Sequence, residues 1–237
     1  MKMPRRGVSP HTPPIVFLHN RDANMHALVG VADAVDREHY TYVFPNAPFE
    51  SRSTKARGRG GYSWADPDDV PASPAMGEPK ATLCARGTRT RRLIAELLRN
   101  VTATLGAGRP PILAGFSQGA ACALRFGLEE PDRISGIVAL SGFMVGGLGA
   151  PSRRTGRARQ AFIGHGVDDP VVPIECAREC RAMLQHGEYD VTYREYPMKH
   201  ELSLAEIRDL RRWLHRHYPP DLRPREGALN DSRQEPP

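Results

Sequence analysis

Aromatic residues make up 7% of this 237-residue sequence, lysines number four and cysteines four, and long apolar runs are absent. Each shortage excludes something. No uninterrupted apolar stretch approaches the ~20 residues that a membrane span needs, and mean hydropathy is −0.48. The opening residues, Met1 to Pro14, carry Lys2, Arg5 and Arg6 but no apolar core, which argues against a secretory signal. Cys84, Cys122, Cys176 and Cys180 are too few for a disulfide scaffold in a chain of this length. Neither a CxxC pair nor a neighbouring histidine completes a zinc set, so no metal is expected. A reducing, cytoplasmic setting follows. The net charge of +6 comes from 29 Arg and four Lys against 27 acids. The basic residues are scattered among those acids, and the densest stretches, Arg86–Arg99 and Arg153–Arg159, lack the interleaved aromatics that stack on bases. The charge therefore reads as a solvated surface, and no nucleic-acid partner is expected.

What is present is an alternation of short β-type runs and amphipathic helices, the pattern of a mostly parallel sheet covered on both faces. Strands are expected at Ile15–Leu18, Tyr40–Phe44, Ile112–Phe116, Ile137–Leu140, Ala161–Gly164 and Val191–Tyr196. Most are continuous apolar runs, as strands buried on both faces require. Leu28, Val31, Ala32 and Val35 mark one helix by their spacing, and Ile94, Leu97, Leu98 and Val101 mark another within Pro79–Thr104. A third should follow Ser117. A fourth is expected over Ile174–His186 with Cys176, Cys180, Met183 and Leu184 inward, and a last with Ile207, Leu210 and Leu214 on one face ends near Tyr218. Glu50–Gly77 and Phe143–Arg159 interrupt the rhythm and read as loop excursions, a common place for function. The expected organisation is a flexible segment over 1–14, one α/β domain over 15–218 and a disordered tail over 219–237. Nothing in the residues specifies an oligomeric state.

The chemistry concentrates at Gly115-Phe116-Ser117-Gln118-Gly119, a G-x-S-x-G between a strand and a helix. In this turn the serine adopts a strained backbone, so small residues must flank it, and Gly115, Gly119 and Ala120 do. A serine hydroxyl needs a base, and the base needs an orienting carboxylate. Two later segments supply them. His165-Gly166-Val167-Asp168-Asp169-Pro170 follows a strand, and Met198-Lys199-His200-Glu201 follows the last strand. The residues alone leave Asp168 and Asp169 as rivals for the acid. Of the other histidines, His19 reads as loop-structuring and His165 as a structural hydrogen bonder, while His215 and His217 sit near the end of the last helix.

Together with Phe44-Pro45-Asn46-Ala47-Pro48 and Gly61-Tyr62-Ser63-Trp64, these motifs resemble the phospholipase/carboxylesterase family, the acyl-protein-thioesterase-like branch of the α/β-hydrolases. The likeness runs from about Ile15 to Tyr218. It implies an α/β-hydrolase fold, no cofactor, and a serine hydrolase acting on a small or acyl ester or thioester. By position it makes Ser117 the nucleophile, Asp169 the orienting acid and His200 the base. It also implies an oxyanion hole built from the backbone N–H groups of Arg21 and Gln118. One departure stands out. Where the family has His-Gly-x-Gly, this chain reads His19-Asn20-Arg21-Asp22. Asn and Asp tolerate positive φ best among non-glycine residues, so the path of the chain can survive, but Asn20 or Asp22 then brings a polar group beside the reacting carbonyl. That substitution motivates the alternative: a catalytically weak hydrolase-fold protein that binds a ligand or partner. Asn20, Tyr62, Trp64, Phe143 and Met144 are the candidate substrate contacts.

Overall fold

A computed structural model of the chain describes residues 11–51, 60–66, 88–144 and 159–220. Its centre is a six-stranded sheet in the order β2-β1-β5-β6-β7-β8, every neighbouring pair parallel. The strands are β1 (Ile15–Leu18), β2 (Tyr42–Val43), β5 (Ile112–Phe116), β6 (Gly136–Leu140), β7 (Arg159–Gly166) and β8 (Tyr189–Tyr196). Every residue of β1, β5 and β6 is buried. Continuous apolar runs produce this because helices cover both faces of the central strands. β8 lies at the edge, and only its end residues Tyr189 and Tyr196 are buried.

Side chains sort by parity. Val16, Leu18, Leu113, Ile137, Ala139 and Ile163 pack beneath α2 (Thr88–Leu105), α3 (Gln118–Glu129) and α4 (Ile174–His186). Ile15, Phe17, Ile112, Val138, Leu140 and Phe162 pack beneath α1 (Val29–Val35) and α5 (Leu204–His217). Because successive strand residues face opposite sides, short runs such as Ile15-Val16-Phe17-Leu18 feed both cores at once. Asp36 binds the two helices of the second face, accepting from His39 Nδ1 at 2.9 Å and His215 Nε2 at 2.8 Å.

Several boundaries differ from expectation. β2 is confined to Tyr42–Val43, while β7 and β8 each begin two residues earlier than their apolar runs. In α4 the buried residues are Ala177, Cys180 and Leu184; Cys176 and Met183 are half-buried. The helical repeat selects 177, 180 and 184 as a stripe, one position off Cys176 and Met183. An antiparallel ribbon, β3 (Phe49–Glu50) with β4 (Tyr62–Ser63), forms at the start of the first excursion, opening one residue ahead of it. Two-residue strands carry no periodic signal, so no sequence pattern announced it. Residues 12–14 are buried and Pro14 O accepts from Ile112 N, so packing starts ahead of Ile15. Cys84, the start of the helix expected from Pro79, most of both excursions and residues 221–237 lie outside the described residues. Among the described residues no helix is long and apolar enough to cross a membrane.

The strand order reverses between β1, whose other neighbour is β2, and β5, which leads outward to β6, β7 and β8. In a doubly wound sheet a crevice opens at the carboxyl ends of the strands flanking that switch. β1 ends at Leu18 and β5 at Phe116, so the His19 loop and Ser117 border the same crevice. The junction is tight. A Cβ on Gly119 would lie 2.1 Å from Leu18 O, and one on Gly115 would lie 2.2 Å from the Gly119 carbonyl carbon. These obstacles are backbone, which cannot rotate aside. Gly119→Ala is therefore expected to cost about 3 kcal/mol or more, at the upper end of overpacking penalties, read as a lowered urea midpoint. An unchanged midpoint would show that α3 and β1 can separate freely.

Candidate active site

Ser117 joins β5 to α3 with φ 55° and ψ −117°, a conformation non-glycine residues rarely adopt. Its N–H donates to Leu140 O at 2.9 Å, and its carbonyl accepts from Ala121 N at 3.0 Å, so the turn is held from both sides. The hydroxyl thus stands at the crevice, half-buried.

Two loops from the far side of the sheet reach it. His200 Nε2 lies 2.9 Å from Ser117 Oγ, and His200 Nδ1 lies 2.7 Å from Asp169 Oδ2. With Nδ1–H donating to the carboxylate, Nε2 is left as the acceptor for the serine hydroxyl. The Phe116 ring lies 5.0 Å from the imidazole and limits how far it can swing. Asp169 is 7% exposed. Its other oxygen, Oδ1, accepts from Val171 N at 2.8 Å and Val172 N at 2.9 Å. Asp168 is exposed, and its N–H donates to Met198 O. Of the two rivals, Asp169 is the one brought to His200.

His165 supports that loop. Its Nε2 donates to Val172 O at 2.8 Å and lies 3.5 Å from Asp169 Oδ2. Burial lowers its pKa, so it stays neutral beside the carboxylate. His19 is fixed in the same fashion. Nδ1 donates to Asn20 O at 2.7 Å and Nε2 accepts from Ala47 N at 3.0 Å, with burial again lowering the pKa. The ring bridges the end of β1 to Phe44–Pro48.

The candidate substrate residues divide. Trp64 is 2% exposed, its indole N–H donating to His19 O at 2.8 Å and its backbone N–H to Gln118 Oε1 at 3.0 Å. So placed it is a brace for the His19 loop and α3, and has no surface left for an acyl chain. Phe143, at 6% exposure, is likewise packed into the core. Met144 is partly buried against that core, and Tyr62 is half-buried with its backbone N–H donating to Ala23 O. Asn20 is half-buried, its amide donating to Arg21 O at 3.4 Å. Large aromatic residues near a motif look alike in sequence whether they line a site or brace it; only packing separates them. Arg21 stands beyond the carboxyl end of β1 and Gln118 opens α3 on the neighbouring strand, at a helix N-terminus that favours negative charge.

Comparison with known proteins fits this geometry. A family model described as phospholipase/carboxylesterase matches residues 5–218. The chain belongs to the phospholipase/carboxylesterase family. It is 30% identical over 237 aligned positions to acyl-protein thioesterase 1 of Mycosarcoma maydis, covering 91% of this chain and 95% of that one. The fold is similar to that of esterase PE8 (TM-score 0.72, 21% identity, 92% of this chain and 96% of that one). It is similar also to the Bacillus cereus carboxylesterase (TM-score 0.69, 18% identity, 90% and 92%). The chain is an α/β-hydrolase of the carboxylesterase/thioesterase type.

One residue of this family member escaped the sequence reading. Glu206, in the first turn of α5, is fully buried against Gly164 of β7. Its N–H donates to Ser203 Oγ at 3.2 Å. Ser203-x-x-Glu206 is a capping-box signature that the sequence did display, three residues beyond His200. Burial pushes the Glu206 carboxyl up to about 8, opposed by a backbone bond at Ser203. The native state thus holds a proton that the unfolded chain releases near the ordinary value of 4.5. Stability should fall as pH rises through that interval, the loss being complete above about pH 8. Glu206→Gln should remove this slope, so that urea midpoints of parent and variant diverge between about pH 5 and about pH 9 with the parent losing ground. Parallel midpoints would place the carboxyl's titration elsewhere.

Proposed function

We propose that this hydrolase cleaves carboxylic ester or thioester bonds through a Ser117–His200–Asp169 triad and a covalent acyl-enzyme. The observation that carries the reading is the unbroken hydrogen-bonded line from Ser117 Oγ through both nitrogens of His200 to Asp169 Oδ2, at 2.9 Å and 2.7 Å. His200 Nε2 takes the Ser117 proton as Oγ attacks the carbonyl carbon. The tetrahedral oxygen takes up negative charge beside the N–H groups of Arg21 and Gln118, where a helix N-terminus already favours it. Collapse breaks the bond to the leaving oxygen or sulfur, which receives the proton from Nε2. Water then attacks the acyl carbon, gives its proton to Nε2, and the second collapse returns that proton to Ser117 and releases the acid. Asp169, held by the Val171 and Val172 amides, keeps Nδ1 protonated throughout and steadies the imidazolium.

The substrate class is a small-molecule or acyl ester or thioester. The fungal relative's name supports S-acylated protein as one source of such a thioester. Cys176 and Cys180 are free thiols, which supports a reducing, cytoplasmic setting. The alternative of a weak binding protein rested on polar residues in the oxyanion loop. Its force diminishes because the Asp22 carboxylate accepts from Ser51 Oγ and lies near its own neighbour Arg21, rather than standing free.

A fluorophosphonate probe should label Ser117, located by peptide mass spectrometry, and p-nitrophenyl ester turnover should accompany it. Ser117→Ala is expected to abolish both while the circular dichroism spectrum is retained. Asp169→Asn should lower kcat by about 10³–10⁴-fold through loss of the productive tautomer. Near-parental turnover by Ser117→Ala would overturn the assignment.

A further inference from the structure

The loop after β1 reads His19-Asn20-Arg21-Asp22, and its last residue is held in an unusual conformation by named partners. Asp22 has φ 64°, in the left-handed region. Aspartate is among the few non-glycine residues that enter it at modest cost. Its N–H donates to Tyr62 O at 3.0 Å, and its Oδ1 accepts the hydroxyl hydrogen of Ser51. Ser51, 6% exposed, directly follows β3, and its own N–H donates to Gly61 O at 2.9 Å. Tyr62 N donates to Ala23 O at 2.8 Å, and Asn24 Nδ2 to Gly60 O. Residues 22–24 are therefore laced to both strands of the β3–β4 ribbon. β4 continues into Trp64, whose indole holds the His19 carbonyl at the other end of the same loop.

Asn20 and Arg21 are the residues enclosed between these two attachments. A glycine at position 22 would allow the same φ but could make no side-chain tether. We infer that Asp22 is a positioning residue: its bond to Ser51 fixes the Arg21 N–H where the tetrahedral oxygen forms, replacing glycine permissiveness with a side-chain anchor. The inference rests on Ser117 being the nucleophile and Arg21 an oxyanion donor. It also accounts for the direction of the Asp22 charge, which is engaged by Ser51 and lies 3.8 Å from Arg21 Nε.

Four variants of the full chain test it: Ser51→Ala, Asp22→Gly, the double variant and Asp22→Asn. Asp22→Gly leaves the backbone free to keep its positive φ, so loss of fold does not confound it. Each is measured for p-nitrophenyl ester kcat and KM, and for amide hydrogen exchange over residues 20–25. Ser51→Ala and Asp22→Gly should each lower kcat about tenfold or more with KM within about twofold, as misplacement of a catalytic group does, and should speed exchange at residues 21–23. The double variant should be no worse than either single one, because both remove the same bond. Asp22→Asn keeps an acceptor oxygen and tolerance of positive φ, and should stay within about threefold of the parent. Faster exchange with unchanged kcat would overturn the inference by showing a tether without catalytic consequence. So would unchanged exchange, or an Asp22→Gly variant faster than the parent. If the parent itself neither turns over ester nor labels at Ser117, the triad reading fails and carries this one with it, whatever the exchange data show.

Discussion

Between the first turn of α3 and the end of β1 there is no room for a side chain. Leu18 O stands 2.1 Å from where a Gly119 Cβ would be, and the rest of the site follows from that contact. It sets α3 directly over the switch point of the sheet, so the residue linking β5 to α3 has to turn within a single position. Ser117 makes that turn at φ 55° and is thereby raised out of the strand. The same contact puts the His19 carbonyl within reach of Trp64, and the Gln118 side chain within reach of the Trp64 amide. One steric limit thus orders Ser117, the loop across from it and the ribbon that braces the loop.

Around this junction the protein relies on buried groups kept neutral. His19 and His165 each have one ring nitrogen committed to a carbonyl, and burial disfavours their protonated forms. Neutral imidazoles can be packed in the interior at far lower desolvation cost than charged ones. The charge that remains near the site is placed with care: Asp169 is satisfied by two backbone amides as well as by His200. Glu206, buried against Gly164 of β7, is held in its protonated form at neutral pH. The scaffold around Ser117 and His200 therefore limits buried charge by keeping His19, His165 and Glu206 neutral.

The loop after β1 is polar, and the β3–β4 ribbon is what holds it in place. Glycine gives a loop its shape by permitting conformations; a tethered aspartate gives it by holding one. The second solution needs a partner surface, and Ser51, Tyr62 and Gly60 provide it. A loop and a ribbon separated by about thirty residues are in this way a single element of the site.

The sheet strands, the Gly115–Gly119 turn and the placing of Ser117, Asp169 and His200 just past strand ends were legible because each rests on local chemistry: continuous apolar runs, small residues around a strained turn, and polar residues following strands. The sequence by itself also marked α4 and α5 through their helical stripes. It could not rank Asp168 against Asp169 from the residues alone, since adjacent carboxylates differ only in the direction the turn gives them; the Val171 and Val172 amides decided that. Nor could it separate Trp64 the brace from Trp64 the pocket wall, because burial depends on what packs from elsewhere in the chain. The ribbon and the Asp22–Ser51 bond were invisible for the same reason. Local sequence determines which conformations a segment can adopt and which groups it carries. Which of those groups meet is decided by contacts between distant segments, and only the tertiary structure holds them.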